Sequence, residues 1–133
     1  MSELKPEDYI KYRIELAEKT LEEVQSHLDN GFWNTAINRM YYTCFYAIGA
    51  LLIKDNIPVR SHTGVRQQIG QRYVKNGLID REIAKHFTEL FEKRNKGDYN
   101  DFIDYDEVEA KNYFPKTVSL VERVKELISD SLI

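Results

Sequence analysis

From Trp33 to Leu52 apolar side chains stand on nearly every face of a helix: Trp33, Ala36, Ile37, Met40, Tyr41, Cys44, Phe45, Ala47, Ile48, Leu51 and Leu52. A helix apolar all round belongs in the interior, because any face left in water forfeits the burial that stabilises it. This segment, expected from about Phe32 to Lys54, therefore needs neighbours on all sides, and the rest of the chain supplies them as further helices. Ile10, Ile14, Ala17, Leu21, Val24 and Leu28 recur at spacings of four and three, opposite Glu15, Glu18, Lys19, Glu22 and Glu23. They predict an amphipathic helix from Pro6 to the Asn30-Gly31 stop, where Gly31 can take a left-handed conformation. After the break at Asp55-Asn56-Ile57-Pro58, Ser61 or Thr63 caps a short third helix that carries Val65, Ile69 and Tyr73 and ends at Asn76-Gly77.

Asp80 opens a fourth helix on which Ile83, Phe87 and Leu90 form a stripe, and the turn-forming residues from Lys96 onward end it near Gly97. Asp106 with Glu109 resembles a capping box at the head of a last helix, striped by Val108, Phe114, Val118, Val121, Val124 and Ile128. Pro115 removes a backbone donor inside that helix and predicts a kink or a break. No stretch alternates as a strand would. The expected fold class is all-α, a five-helix up-and-down bundle. The chain of 133 residues is long enough for one core and short for two, so one domain over 1–133 is expected.

The formal charge of -3, from 19 basic and 22 acidic side chains spread along the chain, gives no field that would hold a polyanion indiscriminately, so any nucleic-acid contact must be local. The lone cysteine, Cys44, lies in an apolar run and reads as a small buried hydrophobe. No run of uncharged apolar residues is long enough to span a membrane, and no apolar segment follows the first charges as in a secretory signal, so a cytoplasmic location is expected.

Phosphate loops, paired cysteines, HExxH and Gly-x-Ser-x-Gly are absent. His27, His62 and His86 share no helical face, and the acidic stretch Asp98 to Asp106 lacks the spacing of a calcium loop, so neither metal nor cofactor is expected. The informative residues are the polar ones on faces built for burial. Arg39, Tyr42 and Tyr46, at i, i+3 and i+7, share a face of the central helix. Arg94 continues the stripe of the fourth helix where a core residue would stand. With His62, Asp98 and Tyr99 they make a constellation that admits two readings. In one, Arg94 and Asp98, four residues apart, pair to fix a helix end and the cluster is structural, in a non-enzymatic interaction module or regulatory partner protein. In the other, the cluster holds a ligand.

Three stretches weigh on that choice: Ala36-Ile37-Asn38-Arg39-Met40-Tyr41-Tyr42 with Phe45-Tyr46-Ala47 and Ala50-Leu51-Leu52, Ser61-His62-Thr63-Gly64-Val65, and Arg94-Asn95-Lys96-Gly97-Asp98-Tyr99. Together they resemble the HEPN superfamily (higher eukaryotes and prokaryotes nucleotide-binding), specifically its small stand-alone bacterial and archaeal members. The resemblance implies a five-helix fold, commonly dimeric, with an Arg followed after four to six residues by His, and in many members a metal-independent ribonuclease. It implies a nucleotide or RNA phosphate as ligand, with Arg94 and Tyr99 as the motif positions and His62 as a third catalytic candidate. Arg39, Tyr42 and Asp98 are the implied binding residues. Tyr99 stands where the family has histidine, and a phenol with a free pKa near 10 is a poor base at neutral pH. The resemblance further implies a toxin-antitoxin pair with a nucleotidyltransferase, for which Tyr99 is the candidate acceptor, and a homodimer.

Overall fold

The computed structural model describes residues 5–58, 61–99 and 104–130, with residues 97–99 and 130 described by backbone alone. The elements are α1 (Pro6–Asp29), α2 (Trp33–Lys54), α3 (His62–Gln68), a π-helical turn (Ile69–Val74), α4 (Arg81–Tyr99) and α5 (Glu107–Asp130). No strand occurs among the described residues, and the fold is all-α.

The all-round apolar segment occupies the centre, as its composition requires. α2 packs on α1 along its length and on α4 and α5 at its other faces. Ala36, Ile37, Met40, Tyr41, Cys44, Ala47, Leu51 and Leu52 on α2 are wholly shielded from solvent. They share one apolar cluster with Ala17 and Val24 of α1, Val65 of α3, Phe87 and Leu90 of α4, and Ala110, Val121 and Val124 of α5.

The ends of the elements follow local chemistry. Gly31 closes α1 at φ 75°, a conformation a β-carbon would strain. Ser61 caps α3, its Oγ accepting from the Gly64 amide at 2.9 Å. Asp106 opens α5 by accepting from the Glu109 amide at 2.8 Å.

Four expectations need correction. The third helix does not run as a regular α-helix to Asn76: it widens into the π-helical turn, which buries Ile69 and Tyr73 before Gly77 at φ 73° reverses the chain. α4 continues past Gly97 to Tyr99. Of the kink or break expected at Pro115, the break does not occur, since α5 is helical from Glu107 to Asp130. Val108, placed on the core stripe of α5, is 67% exposed, because the buried line is Ala110, Thr117, Val121, Val124 and Ile128 and Val108 lies off it.

Candidate functional site

Tyr41 is the hub of the site. Its ring is buried between elements, stacked on Phe87 of α4 at 5.4 Å between centroids and on Phe45 one turn along α2 at 6.0 Å. His62, held at the start of α3 by the Ser61 cap, stacks on Phe45 at 4.3 Å and 18° and on Tyr41 at 5.5 Å, and its Nδ1 is hydrogen-bonded to the Tyr41 hydroxyl. A short helix thereby delivers an imidazole onto an aromatic surface made by the central helix.

Arg94 reaches the same surface from α4. Its guanidinium carbon lies 5.5 Å from the Tyr41 ring centroid and 5.2 Å from that of Tyr42, within the range at which a cation is attracted to a ring face. Nη1 donates to Asn95 Oδ1 at 3.2 Å. Arg39 approaches Tyr42 as well, at 5.4 Å, while its Nε lies 3.4 Å from Glu23. Arg66 lies 4.8 Å from the Phe91 centroid, and Phe91 in turn touches Tyr41. Three arginines and a histidine thus converge on one group of rings.

This arrangement sets the charge states. Burial, and then the positive charge of Arg94, push the His62 pKa below the ordinary imidazole value, so the ring is neutral near pH 7. Burial pushes the Tyr41 phenol up, against an opposing pull from Arg94, so that hydroxyl keeps its proton. A neutral imidazole beside a permanent cation can accept a proton while the cation holds an anion.

Arg94 also lines a cavity of about 350 Å³ with Asn34, Asn38, Lys93 and Tyr105. Tyr105 is fastened into its wall: the Tyr105 amide donates to Asn34 Oδ1 at 2.7 Å and the Tyr105 hydroxyl to the Lys93 carbonyl at 2.7 Å. The guanidinium therefore stands between the aromatic surface and an open, polar concavity.

Of the residues singled out in the sequence, Arg39, Tyr42, His62 and Arg94 meet at this surface. The side chains of Asp98 and Tyr99 lie outside the described residues, although the backbone carries both in the last turn of α4. Tyr41 and Arg66 escaped the sequence reading. Tyr41 stands in an apolar run like any filler, yet its hydroxyl needs a partner once buried. Arg66 stands four residues after His62, so one helical turn already put them on a common face. Among the described residues no group of three His, Cys, Asp or Glu side chains is placed to hold a metal ion, and no helix is long and apolar enough to cross a membrane.

A family model of the HEPN domain matches residues 10–127, and the chain belongs to that family. A "UPF0332 protein" of Thermotoga maritima is 30% identical over 93% of this chain and 94% of its own length. Two proteins of Methanocaldococcus jannaschii, each carrying the name "Putative toxin", are 29% and 28% identical, over 98% and 92% of this chain and 90% and 91% of their own lengths.

Proposed function

We propose that this face binds an RNA phosphate and cleaves the strand without a metal ion. The observation that carries the reading is the joint approach of Arg94 and a neutral His62 to Tyr41 and Tyr42. In the tautomer that donates its Nδ1 proton to the Tyr41 oxygen, His62 presents the lone pair of Nε2 and takes the proton of a ribose 2′-hydroxyl. The 2′-oxygen bonds to phosphorus, and the bond to the 5′-oxygen breaks, that oxygen leaving with a proton from solvent. The products are a 2′,3′-cyclic phosphate and a 5′-hydroxyl. Arg94 donates to the phosphoryl oxygens as their charge rises, a role worth on the order of 10²–10³ in rate when performed by a pre-placed donor. His62 thus takes the part for which Tyr99 is chemically unsuited.

The names of the two archaeal relatives support a toxin role, in which RNA cleavage halts growth; the nucleotidyltransferase partner rests on the family resemblance alone. The test is cleavage of a single-stranded oligoribonucleotide in EDTA. Wild type should cut, and Arg94→Ala, with its helical circular dichroism retained, should be slowed about 10²-fold. An Arg94→Ala protein that is folded and cuts at the wild-type rate would sink the proposal.

A further inference from the structure

Arg13 of α1 brings a further guanidinium to the aromatic face, and its setting is built to receive it. It lies over Phe45 at 5.6 Å and Tyr46 at 5.7 Å, and Nη2 donates to the Phe45 carbonyl at 3.4 Å. Room for it comes from Gly49: a β-carbon there would stand 2.2 Å from Nη2 and 2.6 Å from the guanidinium carbon. The side chain is pressed flat against the central helix in a notch that only a glycine leaves open.

No carboxylate among the described residues pairs with it. Its helical neighbours three and four positions away are Tyr9, Ile10, Leu16 and Ala17, none of them acidic. A half-buried cation without a counter-ion costs stability, and an anion arriving from outside would relieve that cost. Burial lowers the Arg13 pKa from its ordinary value, the expected mark of such a cation. The guanidinium remains charged at neutral pH.

The setting is continuous with Arg94. The Tyr42 ring that Arg94 covers is 6.1 Å from the Tyr46 ring that Arg13 covers. Beyond Arg13, Tyr12 and Tyr9 are 61% and 47% exposed, large rings standing in water along the same helix. Cations alternating with aromatic faces are what a single strand needs, since its phosphates track the charges and its bases stack on the rings.

We propose that Arg13 is a second phosphate-binding site, so that the ligand of this face is a single-stranded RNA of several nucleotides running from Arg94 across Tyr42 and Tyr46 to Arg13, not a mononucleotide. The inference rests on the assignment of Arg94 as the first phosphate site. A mononucleotide reaches only one of the two guanidiniums; an oligonucleotide engages both.

The test measures the affinity of AMP and of an eight-nucleotide single-stranded RNA over a salt series, for wild type, Arg13→Gln, Gly49→Ala and Arg94→Ala. Wild type should bind the octamer more tightly than AMP. Arg13→Gln should weaken the octamer about tenfold, as loss of a charged hydrogen bond would, and leave AMP unchanged. It should also reduce the slope of log affinity against log salt by about 0.7, one phosphate contact on a single strand. Gly49→Ala keeps the charge but expels the guanidinium from its notch, and should lower octamer affinity in the same direction. Unchanged octamer affinity and slope in Arg13→Gln, with binding lost in Arg94→Ala, overturns the second site and leaves the first standing. Indifference of both ligands to Arg94→Ala overturns the first as well. An Arg13→Gln protein with wild-type RNA affinity but a smaller mass by light scattering would make this face a contact between two copies of the chain, and would overturn the proposal.

Discussion

At the scale of the residue, the chemistry turns on how His62 is held. Two effects keep its pKa low: removal of its ring from water is the larger, and the charge of Arg94 adds to it. A base acts only when deprotonated, so the cleavage rate should fall as pH drops through the His62 pKa, and the acid limb should lie below the ordinary imidazole value of about 6.5. Removing Arg94 takes away one of the two causes. The residual activity of Arg94→Gln should therefore show its acid limb displaced toward higher pH, which a rate-against-pH profile reads directly; a limb that stays put would mean that Arg94 does not act on the imidazole. The Tyr41 hydroxyl fixes the other ring nitrogen. Tyr41→Phe keeps the stacking and removes that bond. Its rate should fall about tenfold with RNA affinity unchanged, an effect confined to kcat and the size expected for losing one orienting hydrogen bond to a group that becomes charged. A fall in affinity with kcat intact would instead assign Tyr41 to binding.

At the scale of the element, α4 is what brings a cation to the central helix, and Phe87 is where it is fastened. The ring is wholly buried and stacked on Tyr41 at 15°. Phe87→Ala should cost about 3–5 kcal/mol of stability, read as a lower urea midpoint. It should also slow cleavage more than the loss of folded protein explains, because the same contact positions Arg94 two turns along the helix. Helices of this kind were legible in the sequence. Periodicity located α1 and α4 because each carries a repeating apolar stripe, α2 stood out as a helix apolar on nearly every face, and Gly31, Ser61 and Asp106 marked ends through chemistry that acts within three or four residues. What periodicity could not supply was the departure of Ile69–Val74 into a π-helical turn, which is set by tertiary burial of Ile69 and Tyr73, or the exposure of Val108, which depends on the rotation of α5 about its axis. The site divides the same way. Arg94 was visible as a charge on an apolar stripe, and Arg39 and Tyr42 as polar groups on a buried helix. Arg13 was hidden because its significance lies in Gly49, thirty-six residues away in the chain and in contact only once α1 lies on α2.

At the scale of the whole molecule, α4 and α5 close the core over one buried polar cluster, and this cluster ties stability to pH. Thr117 Oγ donates to the Tyr113 carbonyl at 3.0 Å, so its single proton is spent. It must then accept at 2.9 Å from His86 Nε2, which fixes that tautomer and leaves Nδ1 as an acceptor without a partner among the described residues. His86 is 2% exposed, and burial, with a smaller contribution from Lys116, pushes its pKa down to about 4. In the unfolded chain the imidazole titrates near 6.5. Between these values the unfolded state binds a proton that the folded state refuses, so stability is complete above about pH 6.5 and is lost as pH falls toward 4, by roughly 3 kcal/mol in all. Carboxylates that lose their own partners in acid contribute to the same decline, so the wild-type curve alone does not isolate the histidine. The difference between wild type and His86→Gln does: glutamine keeps a donor for Thr117 and cannot titrate, so urea midpoints of the two proteins should converge as pH is lowered from 6.5 to 4. Parallel curves across that interval would mean that the imidazole is charged, or hydrated, in the native state, and that the core over α2 is not sealed between α4 and α5.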